Sequence, residues 1–318
     1  MLQPEAPPAP RPGLGAWGRS LRWAGRLGAI LLVLVGGRYA LMGLRLEQVG
    51  AALTTARPWP LVAGAALNLV HLVFKAGCWR ALLAPTHRLS VLRLYRYTVA
   101  ASALSCLVPA RAGEALRVWL LRRRDGVPLA RGATVAVTEK VLDALAMLVL
   151  MAPLPWLLPD LPRWVLRSIL GLSGLGLVAL GGLAWVVHWA RPGLRQPPGA
   201  LLRAGGFLVA SWLTDLGVVS LSLHAVGLHL PWPAGLLILL TLNLAIAVPS
   251  TPAQVGAFEL GAMAALRLLD VADAPALAFA LFYHLIQVVP LLVLALLDIR
   301  FVLAARVDGQ AGSQPASV

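Results

Sequence analysis

The chain has 318 residues, of which 59% are hydrophobic and 13% charged, and its mean hydropathy is +0.80. Soluble domains carry about 25% charged residues, so this composition excludes a water-soluble globular protein. The formal net charge of +14 does not indicate nucleic-acid binding, because the arginines lie between apolar runs, as in the cytoplasmic loops of membrane proteins. The two cysteines, Cys78 and Cys106, lie within apolar segments and predict neither a disulfide framework nor a metal site.

The sequence predicts an all-α integral membrane protein. Residues 1–25 are rich in Pro, Ala and Arg and predict a disordered cytoplasmic tail. A single polytopic membrane domain is predicted over 26–300, followed by a second cytoplasmic tail at 301–318. Six apolar runs reach the length of about 20 residues that a spanning helix needs. These six predicted full spans are 27–46, 58–79, 133–153, 165–188, 205–226 and 276–298.

Two further apolar segments, 97–121 and 234–266, are interrupted by Pro, Gly and an acidic residue. Such interruptions are typical of broken or re-entrant helices, and both arrangements remain open. With the N- and C-termini inside, the arginine-rich loops fall on the cytoplasmic side. Residues 27–157 and 163–300 then follow one order of span, span, hairpin and span with opposite orientations. The sequence therefore predicts an inverted repeat with a substrate site at its interface.

The first interruption predicts an anion-binding site. Pro109 removes a backbone donor, and Gly113 permits a close approach of the backbone. A half-helix that begins here presents free N–H groups to an anion. Arg111 and Arg117 add guanidinium donors that suit phosphate, and Glu114 could bind a cation or carry a proton. In the alternative interpretation, Arg111 and Glu114 only neutralise each other and hold the hairpin shut.

The second interruption predicts a further part of the substrate site. Pro249 and Pro252 make a continuous helix improbable. The carbonyl and hydroxyl groups near Thr251, together with Gly256 and Glu259, are candidates for contact with a headgroup or an ion. The alternative is a structural kink whose polar groups are satisfied by neighbouring helices.

Four more charged residues are predicted either to couple transport to an ion or to serve as structural charges. Glu139, Lys140 and Asp143 lie at the start of the third predicted span, where interfacial anchoring explains them equally well, and where Lys140 could pair with Asp143. Asp215 lies inside the fifth span, where it would carry a proton or accept a hydrogen bond from a neighbouring span. Lone histidines such as His284 are interpreted as satisfied core imidazoles.

Three sequence elements resemble one known family. Residues 108–117 resemble the Pro-Gly-Arg-x-Gly-Glu-x-x-Arg signature of the lysylphosphatidylglycerol synthase transmembrane family, also called flippase-like proteins. Residues 139–143 resemble its Glu-Arg-x-x-Asp element, and residues 249–259 resemble its Pro-x-Thr-Pro-Gly-Gly-x-Gly-x-x-Glu element. Ala110 and Lys140 replace a glycine and an arginine of the family. Ala253-Gln254 replaces a glycine pair, which bears on the backbone geometry of the second interruption.

The resemblance implies a flippase-like protein of the bacterial inner membrane that moves a phospholipid or a polyprenyl-linked lipid. The expected ligand carries an anionic or phosphate headgroup, and neither a cofactor nor nucleic acid is expected. In the family, synthase activity lies in a soluble domain after the membrane part. The chain ends at 318, so that activity is not carried over. Two alternatives remain: a membrane-embedded lipid-modifying transferase, and a non-catalytic partner of a lipid synthase or glycosyltransferase.

Overall fold

A computed structural model describes residues 50–51, 54–107, 112–190, 196–247, 252–298 and 300. All regular secondary structure within these residues is helical. The predicted span 27–46 and both predicted tails lie outside them. The α-helices, in chain order, are α1 Pro58–Leu83, α2 Val91–Leu107, α3 Ala112–Asp125, α4 Leu129–Met151, α5 Leu154–Leu157, α6 Arg163–Ala190, α7 Pro198–Ala225, α8 Trp232–Ala245, α9 Ala257–Arg267 and α10 Asp273–Leu297.

Three of the described helices, α1, α7 and α10, are long and apolar enough to cross a membrane. They contain 25 to 28 residues, and a helix rising 1.5 Å per residue covers the roughly 30 Å hydrocarbon core at that length. Large apolar side chains lie on the outside of the molecule, including Val178, Leu202 and Leu297, which are 75 to 82% exposed. A surface of this kind suits lipid rather than water.

Helices α1 and α7 form the central pair of the fold. They pack closely because glycines face the partner helix. A Cβ on Gly217 would lie 2.7 Å from Leu67 of α1, and a Cβ on Gly77 would lie 2.9 Å from the ring of Phe207 of α7. Small residues of this kind permit the close helix packing that membrane proteins use. Both helices begin with proline near the first position, where its missing N–H costs nothing.

Helices stop and restart at both interrupted segments. Helices α2 and α3 pack against each other as a first hairpin, and helices α8 and α9 pack as a second hairpin. A 3-10 turn, Pro252–Gln254, precedes α9. In each hairpin a glycine of the second arm presses against the backbone of the first arm. A Cβ on Gly113 would lie 1.7 Å from the carbonyl oxygen of Ala101, and one on Gly261 would lie 2.9 Å from the Cα of Leu242.

One end of the helix bundle gathers the end of α1, the starts of α2 and α4, and the ends of α3 and α10. Arg96 donates through Nε to Asp298 at 2.6 Å, and Arg131 donates to the carbonyl of Leu82 at 2.9 Å. We call this the arginine-rich end, because most of the described arginines lie at it. They are Arg80, Arg88, Arg93, Arg96, Arg122, Arg123, Arg124, Arg131 and Arg203.

The opposite end gathers the start of α1, the end of α7 and the connection from α9 to α10. The N–H of Arg57 donates to the carbonyl of Ala225 at 2.9 Å, and Arg267 pairs with Asp273 at 2.7 Å. The first hairpin therefore opens at the arginine-rich end and the second hairpin at the opposite end. Inside the bundle, α2 of the first hairpin packs against the turn Pro252–Gln254 of the second.

Candidate functional site

A cavity of about 370 Å³ lies where the two hairpins approach each other. Helices α1, α4, α7 and α10 complete its walls. The polar side chains that line it come from every one of these elements. They are Asn68, His71, Lys75, Ser102, Ser105, Glu114, Arg117, Lys140, Asp143, Asp215, Asn243, Gln254, Tyr283, His284 and Gln287. Charged groups are costly inside a membrane protein and mark functional pathways there.

Arg117 is the most buried cation of this cavity. Its guanidinium carbon lies 4.7 Å from the ring centre of Trp79, and Nη1 lies 3.5 Å from Oε2 of Glu139. The indole N–H of Trp79 donates to the same carboxylate oxygen at 2.8 Å. Among the described residues, the buried Nε of Arg117 has no hydrogen-bond partner. The guanidinium is thus held in place by a ring and a carboxylate while it keeps a donor for an anion.

Two further ion pairs connect α4 to its neighbours. Lys140 lies 3.0 Å from Glu114 at the start of α3, and Asp143 lies 2.7 Å from Lys75 of α1. Helix α4 begins at Leu129, so both charges lie within the helix and bind neighbouring helices. The suggested pairing of Lys140 with Asp143 is wrong, because each of them pairs with a residue of another helix.

Asp215 is the one carboxylate lining the cavity that has no cationic partner among the described residues. Tyr283 and Gln287 of α10 each donate to its Oδ1 at 2.8 Å. Hydrogen bonds of this kind hold the carboxylate in place without neutralising it. Asp215 is therefore a negative pole of the cavity, whereas Arg117 is a positive one.

The turn of the second hairpin has an unusual backbone. Ala253 and Gln254 adopt φ of 50° and 62°, and Gly256 adopts 88°. Glu259 accepts a hydrogen bond from the N–H of Gly256 at 2.6 Å. His284 of α10 lies between Glu259 and Ala253. Its Nδ1 lies 2.6 Å from the Glu259 carboxylate, and its Nε2 lies 2.9 Å from the Ala253 carbonyl oxygen. The turn is thus bound to α10 through one imidazole.

Some predicted site residues lie outside the described part of the chain. They are Pro109, Arg111, Pro249 and Thr251. Pro252 begins the 3-10 turn. The structure brings Gly113, Glu114 and Arg117 to one wall of the cavity. Glu259 and Gly256 lie behind its opposite wall, in contact with each other.

Sequence reasoning missed several residues that hold the site. Trp79 orients Glu139, and Tyr283 orients Asp215. Trp212 of α7 donates its indole N–H to Oδ1 of Asp143 at 3.1 Å. The available signal was helical spacing. Trp79 follows Lys75 by four residues and Tyr283 precedes Gln287 by four, so each shares a helix face with a polar residue already singled out.

Comparison with protein families gives one match. The model of the family described as "Lysylphosphatidylglycerol synthase TM region" matches residues 26–295. A comparison with individually curated proteins gives no match. Among the described residues, no three His, Cys, Asp or Glu side chains are grouped to hold a metal ion. Because the match covers most of the 318 residues, the chain belongs to the lysylphosphatidylglycerol synthase transmembrane-region family.

Proposed function

We propose that the protein moves a lipid with an anionic or phosphate headgroup between the leaflets of a bacterial inner membrane. The observation that carries this proposal is Arg117, which lines the cavity and whose buried Nε has no hydrogen-bond partner among the described residues. A buried donor left unpaired costs free energy, and a phosphate oxygen would satisfy it. Membership in a family named for a lipid synthase supports a lipid as the ligand.

The headgroup would lie between the two hairpins. Arg117 would bind its anionic oxygens. Lys140 would release Glu114 and then bind the headgroup in its place. The Glu114–Lys140 pair suits this exchange because it is the most exposed ion pair on the cavity, with side chains 38% and 45% exposed. Arg111 and Thr251, predicted from the sequence, extend the proposed set of contacts.

Alternating access would move the headgroup from one side of the membrane to the other. We propose six full spans and two hairpins arranged as an inverted repeat, with both termini in the cytoplasm. The opposite directions in which the two hairpins open support this arrangement. Asp215, a cavity carboxylate without a cationic partner in the described part of the chain, is the proposed coupling acid. A lipid synthase or glycosyltransferase would supply the lipid as a partner.

The test is lipid translocation in proteoliposomes that contain fluorescent anionic phospholipids or a polyprenyl phosphate. Wild type is compared with Arg117→Lys, which keeps the charge beside Glu139 but loses the planar fork of donors, and with Glu114→Gln. The matched control is Arg123→Lys, an exposed position on the same helix. We expect Arg117→Lys to lower the rate about tenfold, as the loss of a charge-assisted hydrogen bond implies, and the control to match wild type.

A wild-type protein that moves none of these probes would overturn the proposal. An unchanged translocation rate in both Arg117→Lys and Glu114→Gln would support lipid translocation but would show that the headgroup does not bind in this cavity.

A further inference from the structure

His284 makes two contacts that together require a proton. Its Nε2 lies 2.9 Å from the carbonyl oxygen of Ala253 and its Nδ1 lies 2.6 Å from a carboxylate oxygen of Glu259. A carbonyl oxygen only accepts, so Nε2 carries a hydrogen. The contact at Nδ1 then needs a second proton, carried either by the imidazole or by the carboxyl group. A neutral imidazole beside an ionised Glu259 cannot make both contacts.

The same two residues hold both parts of the turn. His284 binds the carbonyl of Ala253, while the other oxygen of Glu259 binds the N–H of Gly256 at 2.6 Å. The ring of Phe258 stacks on the imidazole with centroids 4.4 Å apart. The side chains of Glu259 and His284 are 14% and 10% exposed, and His284 lines the cavity. Because His284 lines the cavity, a proton can pass between this pair and the cavity.

We propose that the Glu259–His284 pair is a proton-binding site that fastens the turn of the second hairpin to α10. With the proton bound, the pair is neutral overall and all three hydrogen bonds form. When the proton leaves for water in the cavity, the lone pair of Nδ1 faces an ionised carboxylate. Two acceptors repel at that distance, so the residues separate and the turn loses its attachment at Ala253 or at Gly256.

Other titratable groups face the same cavity as the pair. Asp215 of α7 does so without a cationic partner among the described residues. His71 of α1 and Cys106 of α2 also line the cavity. On the far wall, Glu114 and Lys140 neutralise each other, as do Lys75 and Asp143. On α9, Glu259 itself is the group that faces the imidazole.

This inference deepens the proposed function, on which it rests, by naming the proton as the coupling ion and the second hairpin as the part that it controls. The fastening can be tested without any lipid transport. The thiol introduced by Gln254→Cys reports on the turn, since Gln254 lies half-buried on the cavity wall. Cys106→Ser removes the other cavity thiol, and Cys78 is fully buried and stays in place.

The experiment measures the rate at which a maleimide labels this thiol in the full chain, from about pH 5 to about pH 9, a range that brackets histidine and carboxylate titration. Two variants fix the limits. In Glu259→Gln, the amide donates to Nδ1 and accepts from Gly256, so the turn stays fastened without a proton to lose. In His284→Ala, the turn stays released. Dividing the labelling rate of the protein with the native pair by the rate of each variant at the same pH removes the intrinsic pH dependence of the thiol.

With the native pair present, we expect the thiol at position 254 to be labelled at the same rate as in Glu259→Gln at low pH. At high pH its labelling rate should rise about tenfold relative to Glu259→Gln and approach the rate in His284→Ala. His71→Gln, a change at another cavity histidine, should retain the rise. A native rate that keeps a constant ratio to both variants overturns the inference, and either variant alone decides if the other fails to fold. A pH-dependent rise in labelling in a protein that moves no lipid would support the proton-binding site and contradict the proposed function. Lipid translocation without this rise would support the proposed function and contradict the proton-binding site.

Discussion

At the residue scale, the second hairpin turn places two L-residues where the family signature has glycines. Ala253 and Gln254 have φ of 50° and 62°. A left-handed conformation costs an L-residue about 1–2 kcal/mol, because its Cβ crowds the following carbonyl. Glycine has no such cost. The turn thus holds two L-residues in a backbone conformation that glycine adopts without this cost.

Ala253→Gly and Gln254→Gly should therefore each stabilise the protein. Relief of the left-handed cost exceeds the added entropy of the unfolded chain, which leaves about 0.5–1 kcal/mol per change. Thermal unfolding in detergent, followed by tryptophan fluorescence, measures the effect. The control is Ala257→Gly in the first turn of α9, where glycine should destabilise the helix. Destabilisation by all three changes would show that the two turn residues are not strained.

The sequence indicated which residues carry charge in the membrane but not how they pair. Closeness in sequence suggests Arg111, which lies outside the described residues, as a partner of Glu114, and Asp143 as a partner of Lys140. In the structure Glu114 binds Lys140, and Asp143 binds Lys75. These contacts depend on which helices are neighbours in space. Spacing along one helix identifies a shared face, whereas the partner across the interface follows only from the packing.

At the scale of the element, each hairpin depends on one glycine where its arms touch. Pro109 and Pro249 predicted interruptions from the sequence alone. Helix α8 ends at Ala245 before Pro249, and α2 and α3, on either side of Pro109, pack against each other. The sequence could not predict how closely the arms pack, since that depends on backbone contacts between residues such as Gly113 and Ala101. The sequence also left open which of the many glycines are needed for close contact between the arms of a hairpin.

Gly113→Ala should force the arms of the first hairpin apart. The added Cβ would lie 1.7 Å from the carbonyl oxygen of Ala101 and 2.4 Å from the hydroxyl of Ser105. Overpacking against backbone cannot be relieved by a change of rotamer, so we expect a loss of about 3 kcal/mol or more in stability. Thermal unfolding and the yield of folded protein in detergent measure it.

The control is Gly205→Ala on α7, where a Cβ would meet nothing within 4 Å. Alanine is the better helix former, so this change should leave stability unchanged or raise it. Equal tolerance of both substitutions would contradict the close contact within the first hairpin.

At the scale of the whole molecule, charge divides the two ends of the bundle. The arginine-rich end carries most of the described arginines, including three successive ones at the end of α3, Arg122, Arg123 and Arg124. Among the described arginines, Arg57, Arg163, Arg167 and Arg267 lie at the opposite end. Arg267 is neutralised there by Asp273. Sequence reasoning predicted this separation because loops of one sign recur along the chain, and the folded helices bring those loops to the same end.

The positive-inside rule predicts that the arginine-rich end faces the cytoplasm. Arg123→Cys and Trp164→Cys place single thiols at exposed positions on opposite ends, at the end of α3 and the start of α6. In intact cells whose outer membrane is permeabilised, an impermeant thiol reagent should label the second variant and spare the first until the inner membrane is opened. Cys106→Ser gives the background, since Cys78 is fully buried. The reverse pattern would show the opposite orientation, and the first hairpin would then enter the membrane from outside. Labelling of both thiols in intact cells would mean that the two ends lie on one side, which no arrangement of α4 as a spanning helix allows.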